Sequence, residues 1–263
     1  PIIPTKNKVV KVFSWTGVDQ GISLRYKTPE TDQYNFVGVY RKTFNIDDPN
    51  KKHIISFLGV ASCLDLYVNG SFIGYSEGAH NIAEFDITEH IHAGENELLC
   101  VVHRWCNGTY LESQDMFRNN GIFRDVLLFI NDDTDIKDIE AQTRAEEDGY
   151  SLALRASVYT DCDVTFTIEG EGIRESRTVS AKGGSAKAIF RNLNVKEWSA
   201  DYPMLYDIYY ETATSCVKEK IGFKTVEIQK DVFLVNGRKI KFHGVNHHDT
   251  SPTNGYTMTP DEI

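Results

Sequence analysis

Cations are scarce. Lys plus Arg number 28 against 38 Asp plus Glu among 263 residues, so the formal charge is 28 − 38 = −10, and the sequence pI is near 5.3. A nucleic acid or an anionic membrane is recognised by clustered cations that displace counterions, so neither is expected as a partner. Long apolar runs are missing as well. The longest stretch, Ile54 to Val68, is interrupted by Ser56, Ser62 and Asp65, short of the roughly 20 apolar residues that span a bilayer. No basic segment followed by an apolar one opens the sequence, so no signal peptide is expected and the chain is read as soluble and cytoplasmic. Cysteine is sparse and unpatterned. The five, at positions 63, 100, 106, 162 and 216, are odd in number and form no Cys-x-x-Cys. Buried thiols in a reducing compartment fit that spacing better than a disulfide framework or a zinc site. Only 7 prolines against 11% aromatic residues, with no low-complexity tract, exclude a disordered chain.

Helical periodicity is missing too, since no segment before the last few positions reads as a helix of about ten residues. What is present is period 2. Leu152, Leu154, Ala156 and Val158 alternate with Ser151, Ala153, Arg155 and Ser157, placing one face in a core and the other in water. Val164, Phe166 and Ile168 repeat the pattern after Asp161-Cys162-Asp163. Asn69-Gly70 separates Asp65 to Val68 from Ser71 to Tyr75, and Asn236-Gly237 separates Val232 to Val235 from Arg238 to Phe242. Both dipeptides tolerate the positive φ angles of a type I′ turn, so both predict two-residue hairpins.

Length allows one large domain or two to three small ones at roughly 100 to 200 residues each. Asn131-Asp132-Asp133-Thr134-Asp135 follows the apolar run Val126 to Ile130 and has the charge and turn propensity of a linker. A first all-β unit is expected to end there. A second, from Ile136 to about Thr225, has the short strands and turns of a small β-sandwich and closes on a strand from Lys220 to Ile228. Beyond it, a hairpin leads to a predicted strand from Lys239 to Val245, a polar loop, and Thr259-Pro260-Asp261-Glu262-Ile263. That last stretch spells a helix start, with Thr259 as N-cap, Pro260 at N1 and Glu262 completing a capping box. A strand, a loop and a helix start in succession open a βα unit, so the chain is expected to be a piece that stops as an α/β domain begins.

Arg104 to Arg118, reading RWCNGTYLESQDMFR, and Gly121 to Val126, reading GIFRDV, closely resemble the sugar-binding domain of glycoside hydrolase family 2 β-galactosidases. Leu66 to Gly70 through Gly74 to Ser76, and Phe85 to Thr88 through Ala93 to Asn96, fit the same domain. Trp198-Ser199-Ala200 and Tyr202 to Tyr206 resemble the family's immunoglobulin-like domain, and Val235-Asn236-Gly237 through Gly244 to Asp249 resemble the opening of its (β/α)8 barrel. The resemblance implies an all-β fold class. Residues 1–135 would form a jelly-roll-like sugar-binding β-sandwich, 136–225 an immunoglobulin-like β-sandwich, and 226–263 the first hairpin and strand of a truncated (β/α)8 barrel. It further implies a retaining glycoside hydrolase of terminal β-galactosides, homo-oligomeric when whole. Retention needs two carboxyl groups about 5 to 5.5 Å apart. The family's two glutamates lie further along the barrel and no carboxylate here matches either, so no catalytic residue is expected and the piece should be inactive alone.

Two substrate-binding residues follow from the resemblance. Asp115 matches the aspartate that reaches the barrel mouth, where it binds Na+ and the galactose 6-hydroxyl, jobs that suit a hard, accepting oxygen. His248 matches the histidine after the first barrel strand, which lines the sugar pocket. Barrel sites lie at the C-terminal ends of the strands, and His248 falls just past Val245. The family's Mg2+ ligands lie beyond this chain. On their own pattern His243, His247, His248 and Asp249 also suggest a metal cluster, but period 2 puts His243 and His247 on one face and His248 on the other. Arg118, Arg124 and Asp125 read as structural charges that pair with a neighbouring domain. Trp15, Trp105 and Phe117 read as core fillers or as platforms for a sugar face. His247 stands where the family usually has Arg, and Cys106 where it usually has a small hydroxyl residue. A free-standing carbohydrate-binding module is the competing function, since jelly rolls also serve as lectins.

Overall fold

Alternation along the strands sets the layers. In Gly94–His103, Asn96, Leu98, Cys100 and Val102 turn inward while their neighbours stay partly exposed, and Cys63–Val68 buries Leu64, Leu66 and Val68 in the same way. The computed structural model describes residues 8–13, 22–27, 34–112, 119–255 and 257–263, with side chains from Asn35 onward, Tyr110 excepted. These residues fall into two compact units, Lys8–Asn131 with Asn246–Ile263, and Asp132–Val245.

The first unit holds the jelly-roll-like sandwich. One sheet has four antiparallel strands in the order Lys8–Phe13, Val126–Asn131, Lys52–Phe57, Ala83–Asp86. The other has five, in the order Ile22–Lys27, Tyr34–Ile46, Gly94–His103, Cys63–Val68, Ser71–Glu77. Ile55, Phe57, Leu64, Leu66, Leu98, Cys100, Val126 and Leu128 form their shared core. Each large aliphatic side chain buried there contributes about 1.5–3 kcal/mol, and Phe57 meets Phe85 edge-on at 6.2 Å. The expected first hairpin is present: Asn69 (φ 49) and Gly70 (φ 79) turn the chain between Val68 and Ser71.

The second unit is the immunoglobulin-like sandwich. Ile136–Glu146, Gly149–Val158 and Ser185–Leu193 make a three-stranded sheet, and Ile173–Ser180, Asp163–Gly170, Tyr206–Glu211 and Cys216–Ile221 a four-stranded one. The residues singled out by period 2, from Leu152 to Val158 and from Val164 to Ile168, are all in its core. Tyr206 and Tyr150 pack edge-on against Phe223 at 5.3 and 5.5 Å. The linker aspartates are pinned to this unit, because buried Asp135 accepts from Asp132 N–H at 2.8 Å and from the Thr214 hydroxyl at 2.6 Å.

Two predicted strands come out differently. Lys220 to Ile228 is broken into Cys216–Ile221 and Val226–Gln229, which belong to different sheets. Gly222 between them lies so close to Trp198 that an added Cβ would sit 2.7 Å from the ring, and this packing turns the chain out of the sheet. The hairpin at Asn236-Gly237 (φ 49 and 69) forms as expected, but its second strand is only Arg238–Lys239. Ile240 N–H still bonds to Phe233 O at 3.1 Å, and residues 241–250 are then irregular and exposed. A barrel strand is paired on both sides, and among the described residues no neighbour supplies a ladder for 241–245.

Of the expected capping box only the Glu262 half is made, on a single turn in place of a helix start. Glu262 Oε2 accepts from Thr259 N–H at 2.9 Å and from the Thr259 hydroxyl at 3.1 Å, and Glu262 N–H donates to Thr259 O at 3.0 Å. These bonds, led by the Thr259 amide and joined by Ser251, hold the Glu262 carboxyl below its ordinary range. Among the described residues no helix is long and apolar enough to cross a membrane.

Candidate functional site

Of the segment flagged by the sugar-binding motif, two stretches are described, residues 104–112 and residues 119–126, here called its two feet. Asp115, Phe117 and Arg118 lie outside the described residues, as does Trp15. The first foot runs from Arg104 to Glu112. Asn35 and Trp105 hold it to the sheet by a reciprocal pair, Asn35 Nδ2 to Trp105 O and Trp105 N–H to Asn35 Oδ1, both at 2.9 Å. The Arg104 guanidinium lies over the half-buried Trp105 ring, 4.9 Å from its centroid, so that ring serves as packing surface for a cation. Thr109 opens the short helix Thr109–Glu112, and its hydroxyl accepts from Cys106 N–H at 3.0 Å.

The second foot begins at Asn119. Asn120 Nδ2 donates to Arg104 O at 3.0 Å and to Ser62 Oγ at 3.3 Å, while Ser62 Oγ donates to the same carbonyl at 2.8 Å, so the two feet are tied directly together. Gly121–Ile122 then pairs with Val60–Ala61. Gly121 has φ 117, and a Cβ there would meet the Tyr40 hydroxyl at 2.7 Å, so only glycine fits. Arg124 Nη1 donates to Leu58 O at 3.2 Å and its guanidinium lies 5.2 Å from the Phe123 ring, so these contacts of Arg124 are with its own sandwich.

His248 lies in the exposed stretch 241–250, where His247 Nε2 pairs with Asp249 Oδ1 at 2.5 Å. No group of three or more His, Cys, Asp or Glu among the described residues is arranged to hold a metal ion, and the His243-to-Asp249 cluster is no exception. The chain after His248 closes a tight loop, with Gly255 N–H to Ser251 O at 3.0 Å and Ser251 N–H to Gly255 O at 2.6 Å. This loop lands on the second foot. A Cβ added at Gly255 (φ 67) would lie 3.0 Å from the Asn119 amide nitrogen, and the Thr257 hydroxyl donates to Phe123 O at 3.3 Å. Thus the segments that follow Asp115 and His248 meet.

Three residues at the feet were not singled out from the sequence: Glu77, Glu112 and Asn120. Glu77 Oε2 accepts from Gly108 N–H and Glu112 Oε2 from Ala79 N–H, each at 3.1 Å. The Tyr75 hydroxyl also donates to Glu77. That bond, ahead of the Gly108 amide, holds the Glu77 carboxyl below its usual range. Burial pushes the nearby Cys63 thiol up to about 12, so it stays protonated. These partners lie 31 and 33 residues apart, and no local pattern announces them.

The described residues thus form a sandwich, a second sandwich and a hairpin. Residues 6–131 match the glycosyl hydrolases family 2 sugar binding domain, and residues 226–263 match the TIM barrel domain of the same family. The chain belongs to glycoside hydrolase family 2. It is 35% identical over 240 residues to a β-galactosidase of Actinobacillus pleuropneumoniae, covering 89% of this chain and 23% of that protein. With a β-galactosidase of Staphylococcus xylosus it shares 33% over 262 residues, covering 95% of this chain and 26% of that one. The chain therefore spans about a quarter of the length of these relatives. Among solved structures, an FMN-binding β-glucuronidase from Facaelibacterium prausnitzii L2-6 shares the fold at TM-score 0.75 and 19% identity, covering 98% of this chain and 46% of that one. A β-galacturonidase from Eisenbergiella tayi does so at TM-score 0.71 and 18% identity, covering 98% and 50%.

Proposed function

We propose that this chain is the non-catalytic N-terminal part of a retaining β-galactosidase and forms one wall of its galactoside pocket through Asp115 and His248. The observation that carries the reading is the meeting of the loop after His248 with Asn119 and Phe123, the foot of the Asp115 segment. Relatives named β-galactosidase, matched over most of this chain, support the substrate class. In this reading Asp115 accepts the proton of the galactose 6-hydroxyl, and the His248 ring N–H donates to a neighbouring sugar hydroxyl. A sodium ion held with Asp115 would supply a fixed positive charge for the same hydroxyl oxygen. A carboxylate is a suitable hard ligand for such an ion. Mg2+ would be bound by residues outside this chain. The chain's work is to bind and orient, while the two glutamates that break the bond belong to the barrel.

Asp115→Ala in the full-length enzyme tests this. Loss of a charge-assisted hydrogen bond costs about 1.5–3 kcal/mol, so kcat/KM should fall at least about tenfold, and activation by sodium should disappear. His248→Ala should lower turnover and keep the sodium response. Wild-type kinetics and sodium response in the Asp115 variant would remove this site. A calorimetric titration of the isolated chain with galactose addresses the module reading, which requires millimolar or tighter binding unaided.

A further inference from the structure

Glu77 ends the exposed edge strand Ser71–Glu77, and Glu112 ends the short helix from which the chain runs into the Asp115 segment. The two stretches exchange ties in both directions. Glu77 reaches across to the amide of Gly108, just before the helix, and Glu112 reaches back to the amide of Ala79, just after the strand, each at 3.1 Å. Both carboxylates converge on one glycine: a Cβ at Gly108 would lie 3.2 Å from Glu112 Oε1 and 3.3 Å from Glu77 Oε2. The Tyr75 hydroxyl and the Gly108 amide favour the charged Glu77 carboxylate, and the arrangement does not serve core packing, because both side chains are exposed. What the two bonds do achieve is to fix the direction of the Gly108–Glu112 turn, while Asn120 fixes the other foot by its bonds to Arg104 O and Ser62 Oγ.

We propose that Glu77 and Glu112 are positioning residues of the galactoside pocket, clamping the turn from which the Asp115 segment departs. This rests on the reading of Asp115 as a pocket residue. Neither glutamate touches the sugar. Each acts through the backbone it holds, and displacement of a binding group by even 1 Å is costly. The 6-hydroxyl is remote from the scissile bond, so a misplaced Asp115 weakens ground state and transition state alike, and KM rises more than kcat falls.

The test compares Glu77→Ala, Glu112→Ala, Glu112→Gln and Asp115→Ala in the full-length enzyme, measuring KM for a β-galactoside, kcat and the sodium concentration for half activation. Both alanine variants should raise KM and the sodium midpoint about fivefold or more, the scale of one lost hydrogen bond. Glu112→Gln keeps an acceptor oxygen for Ala79 N–H and should restore both to within about twofold. A merely structural role would lower the melting temperature without moving KM or the sodium midpoint. If Asp115→Ala alters both quantities and the alanine variants alter neither, the clamp is overturned and the pocket reading stands. Glu112→Gln as impaired as Glu112→Ala also overturns it. If Asp115→Ala is silent, the pocket reading falls and the positioning role with it.

Discussion

His53 carries a pH dependence that its strand pattern conceals. It occupies an inward position of Lys52–Phe57, fully buried, with Nδ1 donating to Lys51 O at 2.8 Å, while Nε2 has no partner. Burial, only partly offset by that carbonyl and by Asp48 and Asp86, holds its pKa below the ordinary histidine value, and Lys51 adds to the depression. The unfolded chain therefore takes up a proton near pH 6.5 before the folded one does, so stability is complete above that value and is lost as pH falls through it. Each tenfold difference in proton affinity corresponds to about 1.4 kcal/mol. Urea unfolding of the first sandwich between about pH 7.5 and pH 5 should show this loss, and His53→Gln should flatten the profile. An unchanged pH slope in the variant would assign the loss elsewhere. At the same scale, Asp115 and His248 are proposed because a run of neighbouring residues carries the family resemblance to them. Glu77, Glu112 and Asn120 were not legible, because their partners are distant in sequence and glutamate or asparagine on a surface carries no signal of its own.

Among the elements, the Asn-Gly hairpins were readable because a two-residue turn with positive φ is a local demand that few residues satisfy. Asn69 also does work that the dipeptide does not announce. Its Oδ1 accepts from Glu97 N–H at 2.9 Å, and its Nδ2 donates to Asn96 Oδ1 and His90 O, both at 2.8 Å. Asn69→Ala removes these bonds and strains the turn, an expected loss of about 2–4 kcal/mol by chemical denaturation. Asn69→Gly keeps the turn geometry and should lose less. Equal losses in the two variants would mean that the backbone angle contributes nothing. The strand predicted from Lys239 to Val245 shows the opposite limit. Its pattern is that of a strand, yet a strand's hydrogen bonds are supplied by neighbours, and past Lys239 only the Ile240 N–H to Phe233 O bond carries the pairing on.

For the molecule as a whole, two separate apolar clusters serve the two sandwiches, one centred on Leu64, Leu66 and Leu98, the other on Phe166, Phe190 and Phe223. Phe223 is fully buried and packs edge-on against both Tyr150 and Tyr206. Phe223→Ala should cost about 3–5 kcal/mol, and that loss should appear in the unfolding of the second sandwich alone. Calorimetry of the chain should then show one transition moved and one unmoved. A single transition that shifts as a unit would show that the two cores unfold together.

Period 2 and turn chemistry by themselves determined that the chain is built of strands, which residues face the cores, and where the tight hairpins fall, because these depend on neighbours one to four positions away. Shared runs of residues, RWCNGTYLESQDMFR and GIFRDV foremost, carried the resemblance to the family. Only the tertiary structure decided that Gly222 leaves the sheet against Trp198, and that Gly121 must spare the Tyr40 hydroxyl. The ties of Glu77 and Glu112 to backbone amides more than thirty residues away, and the landing of the loop after His248 on Asn119, also belong to it. Each of these is a contact between segments remote in sequence, and such contacts exist only once packing has brought the segments together.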